Sequence, residues 1–171
     1  DPKNKFTEFA VITFLIIKAD LQESANNKLI SLEFRVSPDS VVSSRNPTPL
    51  KPEEELKYKE NLKQNGPDAG RERNDEYIWI PIRKGTDVSF LISEDYKDNK
   101  YLLVCNKKPF VLLPDELWEI ENIDTISDNR GLPAISVEID EKGGELFYKL
   151  TSGNLNRSLA IIIGDKVTSI P

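Results

Sequence analysis

The stretch "LPAISVEIDEKGGELFYKLTSGNLNRSLAIIIGDKVTSIP", residues 132–171, decides the fold class. Ile135, Val137 and Ile139 alternate with Ala134, Ser136 and Glu138, the period-2 pattern of a strand. Asp140 is a good helix N-cap, and Leu146, Phe147 and Leu150 follow at helical spacing. Gly143 and Gly144 each lower helix propensity by about 1 kcal/mol relative to alanine. "RSLAIII" reads as a buried strand, Gly164–Asp165 as a two-residue hairpin turn and "KVTSIP" as the return strand. Strand, helix, strand and hairpin in this order predict an α+β fold: a ferredoxin-like split βαβ sheet with helices on one face.

Between this helix and strand lies a polar knot, 151–157, of Thr, Asn, Gly and Arg. A phosphate cradle needs backbone amides at a helix start. The knot sits at a helix end, where the dipole is negative. It is therefore expected to be a cap, with Gly153 or Asn154 left-handed and Arg157 near the carbonyl end.

Upstream, "FAVITFLII" at 9–17 is rich in Val, Ile, Phe and Thr, so a long buried strand is expected over 8–19. It is well short of the roughly 18 residues of a membrane helix. In "LISLEFRV", 29–36, Ile30, Leu32, Phe34 and Val36 share one face, and Ser31, Glu33 and Arg35 the other. The polar linker between these strands suggests a hairpin.

Residues 37–76 change character. Five prolines punctuate a polar stretch, an exposed and partly helical insertion. Within it "PEEELKYKENLKQNGP" has Pro52 at a helix start and Gly66–Pro67 at its end. Glu53–Lys57 and Glu55–Lys59 are favourable i,i+4 pairs. Only Leu56, Tyr58 and Leu62 offer apolar surface, so weak packing is expected. After it come a strand in "EYIWIPI", a short strand near 88–92, the strand "YLLVC" at 101–105, and a short helix in "LPDELWEIENI" with Asp115 near its start and Leu117, Ile120 and Trp118 inward.

Composition narrows the chemistry. The 171 residues carry 23 basic and 29 acidic side chains, a formal charge of −6, with the signs interleaved. That argues against nucleic acid and anionic membrane surfaces as partners. There is no histidine, the commonest general base and metal ligand. One cysteine, Cys105, can form neither an internal disulfide nor a zinc cluster; a small buried strand residue is its expected role. "NKKP" at 106–109 places proline where a guanine-reading Asn-Lys-x-Asp motif needs its acid, and no P-loop is present. No G-x-S-x-G elbow occurs, and the acidic runs lack calcium-loop spacing. No catalytic, cofactor-binding or metal-ligating residue is expected. Position 1 is not methionine; a cleaved export signal and an excised piece are the two expected origins.

Residues 131–171 resemble the SecD family. Its pattern runs G-x-P-A, a short helix ending F-x-x-L-T-x-x-N, then R-x-L-A-I, a tight turn and V-x-S-A-P. The matching positions are Gly131, Pro133 and Ala134; Phe147, Leu150, Thr151 and Asn154; Arg157, Leu159, Ala160 and Ile161; and Val167, Ser169 and Pro171. Gly164–Asp165 reverses the family's D-G turn. "SLEFRV" is similar to the strand opening the family's head region, and the segment with "EYIWIPI" to longer versions of it.

The resemblance implies a single SecD-head-like domain over 1–171, with the insertion at 37–76. It is the outer part of the first extracytoplasmic domain of SecD or SecDF, thought to contact polypeptide emerging from the Sec channel. It implies a non-enzymatic, extracytoplasmic role with a polypeptide or another envelope protein as partner, no cofactor, and a membrane link only through helices absent from this chain. Exposed strand edges are then candidates for β-addition. Gly131, Pro133, Thr151, Asn154, Arg157, Ser169 and Pro171 form the family signature, expected to be structural. The alternative is a stand-alone secreted assembly subunit of an envelope complex that uses 37–76 as its contact.

Overall fold

A computed structural model describes residues 10–15, 31–40, 49–114, 117–128 and 130–170. Ten strands and three helices are seen among them. The α+β class holds.

The central sheet is built on β2 (Leu32–Val36). It pairs antiparallel with β9 (Leu159–Ile163), from Leu32 opposite Ile163 to Val36 opposite Leu159. On its other side it pairs with β6 (Val111–Leu112). Strand β9 turns at Gly164, φ +67°, into β10 (Lys166–Ser169). The turn needs that left-handed conformation, which glycine adopts without steric cost. The order is β10-β9-β2-β6.

A second sheet has the order β3-β5-β4, from β3 (Tyr77–Pro81), β4 (Ser93–Tyr96) and β5 (Asn99–Cys105). The third, β1-β8-β7, joins β1 (Ala10–Leu15), β7 (Ile120–Ser127) and β8 (Pro133–Ile139).

Alternation along the strands stacks these sheets. Ile78, Ile80, Leu102 and Val104 face Ala160, Ile162 and Val167, which welds the second sheet to the central one. The opposite face of the second sheet, with Trp79, Tyr101 and Leu103, is covered by Leu50 and by Leu62 of α1 (Pro52–Asn65). A single turn, α2 (Ala69–Glu72), leads from α1 towards β3. The opposite face of the central sheet, with Leu32, Phe34, Val36 and Ile161, packs on Ile135, Val137 and Ile139 of β8 and on Leu146, Phe147 and Leu150 of α3 (Glu141–Ser152). Phe34 is the pivot, edge-on to Phe147 at 4.9 Å and tilted against Trp118 at 6.5 Å. A Cβ on Gly143 would lie 3.1 Å from the Trp118 ring and 3.2 Å from Ile139 Cβ, so glycine there lets α3 approach this closely.

Four sequence expectations give way to tertiary pairing. The strands expected over 8–19 and 29–36 do not form a hairpin: β1 pairs with β8, and β2 with β9 and β6. β8 and β9, which flank α3, hydrogen-bond in different sheets, so the described strands are not a single split βαβ sheet. The helix expected over 113–123 is replaced. Leu117 takes φ +59° and is 90% exposed, Trp118 turns inward, and β7 starts at Ile120. The β8 ladder and the partial burial of Ile120 and Ile123 outweigh the local helical spacing; Asp115 lies outside the described residues. The strand expected near 88–92 is a turn held by Asp87, which accepts from the Ser89 backbone amide and hydroxyl; Phe90 projects from it. In addition, the face of β2 expected to be polar lies under the second sheet, and Arg35 is only 4% exposed.

Candidate functional site

The polar knot closes α3. The helix starts with Asp140 Oδ1 accepting from Gly143 N at 2.7 Å. At its other end Thr151 Oγ1 donates to Phe147 O at 2.9 Å. Of Gly153 and Asn154, one of which is expected to be left-handed, Gly153 has φ −76° and Asn154 has no positive φ; the left-handed residue is Asn156 at +64°. The Asn154 side chain explains the shift. Its Nδ2 donates to Leu150 O at 2.8 Å, satisfying a terminal carbonyl that a left-handed glycine amide would otherwise serve. Asn154 Oδ1 in turn accepts from Arg157 Nη1 at 3.1 Å, and the guanidinium lies 5.0 Å above the Phe110 ring. Arg157 Nε is buried without a hydrogen-bond partner among the described residues. The backbone then enters β9, where Ser158 O accepts from Ser37 N at 2.9 Å. The Gly153, Asn154 and Arg157 amides donate to the carbonyls of Lys149, Thr151 and Asn154, so these three are turned into the chain and not towards an anion.

A second polar cluster, absent from the sequence reading, lies between the central and second sheets. Arg35 Nε donates to Glu33 Oε2 at 2.8 Å, and its Nη1 donates to Cys105 O and Asn106 Oδ1, each at 3.1 Å. Asn106 Nδ2 continues to Asp75 O at 3.0 Å. Ser37 Oγ adds a bond to Leu103 O at 3.0 Å. These bonds lock the middle strand β2 of the central sheet to the middle strand β5 of the second, and a buried arginine so engaged is costly to unpair. The only sequence hint was Asn106 directly after the apolar strand.

Cys105 is buried beside this cluster, and its thiol is pushed up to about 11 by burial, against the pull of Arg157. It is therefore protonated at neutral pH and a poor nucleophile. Tyr77 is pushed up to about 12, first by burial and then by Cys105 and Glu76. No described group of three or more His, Cys, Asp or Glu is placed to hold a metal ion. A cleft of about 270 Å³ beside α1 is lined by Glu54, Lys57, Tyr58, Asn61, Arg73 and Asp75. Arg73 and Asp75 pair across it at 2.7 Å, so two of its four charges are matched to each other.

The signature residues do not converge. Gly131, φ +77°, lies in the β7–β8 turn and its amide donates to Asp128 O at 2.9 Å; Pro133 opens β8. Thr151, Asn154 and Arg157 close α3, and Ser169 ends β10 opposite Ile161. Pro171 lies outside the described residues. Among the described residues, β7 has no strand on one of its sides. It is the longest described edge strand, paired to β8 on one side only and mostly exposed along its length.

Residues 96–171 match the family model of the SecDF P1 head subdomain. By sequence, this segment is SecD/SecDF head-like. The protein translocase subunit SecD of Calditerrivibrio nitroreducens is 37% identical over 65 residues, which are 38% of this chain and 12% of that protein. No solved structure gives a significant match. The head-like segment holds β5 to β10 and α3, yet β2, which separates β9 from β6, lies outside it. No helix among the described residues is long and apolar enough to cross a membrane.

Proposed function

We propose that this chain is a non-enzymatic, extracytoplasmic domain that takes part in protein export by contacting translocating polypeptide. The observation that carries this reading is the head-like match over 96–171, joined by the SecD relative. In support of this reading, Asn154 caps α3 and holds Arg157, and the thiol of Cys105 is buried and protonated, so these groups serve rigidity. We also infer that the chain forms one domain, with 37–76 as its insertion. The support is that β5 feeds two cores, Leu102 and Val104 on one face and Tyr101 and Leu103 on the other. In this reading Gly131, Pro133, Thr151, Asn154, Arg157, Ser169 and Pro171 are structural.

The test is titration and cross-linking with an unfolded exported polypeptide. Saturable binding is expected, and no binding at high micromolar concentration overturns the reading. Asn154→Ala, which removes the α3 cap, is expected to lower stability by about 1 kcal/mol and to leave that binding unchanged.

A further inference from the structure

We propose that the free edge of β7 is a docking strand for an extended polypeptide carrying basic side chains, added antiparallel or parallel to β7 as a fourth strand of its sheet. This rests on the polypeptide-contact reading and names the site and chemistry within it.

The backbone supplies the first reason. In an antiparallel pair, alternate residues direct their N–H and C=O away from the partner strand. β7 pairs with β8 from Ile120 to Ser127, and no described strand lies on its other side. Such an edge is a template for another chain unless something blocks it. Two common blockers are absent: "IENIDTIS" contains neither lysine nor proline. Its length also exceeds the roughly 5–6 residues of an average strand. The one irregularity, a bulge between Ile120 and Asn122, sits at the strand's start and leaves the rest regular.

The second reason is charge. Ile123 faces the core opposite Val137, which puts Asn122, Asp124 and Ile126 on the outer face. Asp124 accepts from Asn122 Nδ2 at 2.8 Å, and Asn122 lies opposite Glu138. Glu121 at the bulge and Glu119 just before the strand are exposed and extend the acidic run. Among the described residues of this edge the only cation is Arg130, and it is paired with Asp128 at 3.1 Å. An acidic edge favours basic side chains on the incoming strand. It disfavours a second copy of this chain, because pairing two β7 edges would bring two acidic runs, each with Glu119, Glu121 and Asp124, side by side. Ile126, partly exposed at the far end, gives an apolar contact to one side chain of the guest.

The experiment uses the full chain and two extended peptides the length of β7, alike except that alternate positions are lysine in one and glutamate in the other. Binding is followed by titration and by backbone amide exchange. The lysine peptide is expected to bind at least about tenfold more tightly and to slow exchange at β7 amides. The double variant Glu121→Lys/Asp124→Lys, exposed and so expected to keep the fold by circular dichroism, should lose about tenfold for the lysine peptide. Lysine-peptide binding that leaves β7 exchange unchanged overturns the proposal. So do β7 amides already fully protected in the free chain, or a glutamate peptide that binds equally well. If neither peptide binds while an unfolded exported polypeptide still does, the edge proposal alone falls. If that polypeptide also fails to bind, the reading of polypeptide contact falls with it.

Discussion

Two helices cover the stacked sheets from opposite sides, and they do so by different physics. α3 is amphipathic. Leu146, Phe147 and Leu150 reach the central core, its start is capped by Asp140 and its end by Asn154. α1 is polar nearly all round. Leu62 is its one fully buried residue, while Leu56 stays exposed. What fastens α1 is a set of small contacts on its inner side. Trp79 Nε1 donates to Tyr58 O at 3.2 Å, Tyr58 meets Tyr77 edge-on at 5.5 Å, and Lys63 pairs with Glu94 of β4 at 2.9 Å. A helix built like α3 contributes to the global core, and one built like α1 opens at lower cost.

The contrast can be broken at its strongest point first. Phe34→Ala removes the ring wedged between Phe147 and Trp118 and is expected to cost about 3–5 kcal/mol, with loss of protection in α3, β2 and β9 together. A matched pair of deletions comes next. Leu150→Ala in α3 and Leu62→Ala in α1 each remove a buried leucine, with expected costs of about 2–5 kcal/mol. Amide exchange should separate them: Leu150→Ala raises exchange across the central sheet, and Leu62→Ala raises it in 52–65 while β9 stays protected. Equal spreading from both would show that the two helices do not differ.

Alkali probes the boundary between the two sides, where Cys105 and Tyr77 sit. Both are held neutral by the fold, so the folded state keeps their protons more tightly than the unfolded chain. Their contribution is complete below about pH 9 and is lost as pH rises through about 11 for Cys105 and about 12 for Tyr77. Urea midpoints should therefore fall from pH 8 to pH 11, and Cys105→Ala should make that fall shallower. The smallest effect is on the surface. Glu94→Gln, which removes the partner of Lys63 and Lys59, should cost below about 1 kcal/mol and respond to salt.

The same contrast explains what could be read from the sequence. α3, β8, β9, β10 and the Gly164 turn carry strong local signals, period 3.6 or 2 with caps and turn residues in place. β2, β3 and β5 were legible for the same reason. Partnership was not legible, because alternation says which residues face inward and says nothing about which strand lies beside them. β1 found β8, and β7 formed where local spacing favoured a helix. The cap of α3 was legible in position, but the work fell to the Asn154 side chain. The Arg35 cluster was hidden because a period-2 pattern assigns charged residues to solvent, and here a second sheet covers that face. β7 escaped for a related reason: its signal is the β8 ladder, which exists only once the chain has folded.

The place of β2 carries a kinetic consequence. The strand at the middle of the central sheet is synthesised long before either of its neighbours. β6 follows only after all of α1 and the second sheet, and β9 later still. Contacts so distant along the chain slow closure. Until β9 is made, β2 keeps one edge open even after β6 has paired with its other side. The growing chain therefore passes through a long sticky interval that ends only when β9 arrives.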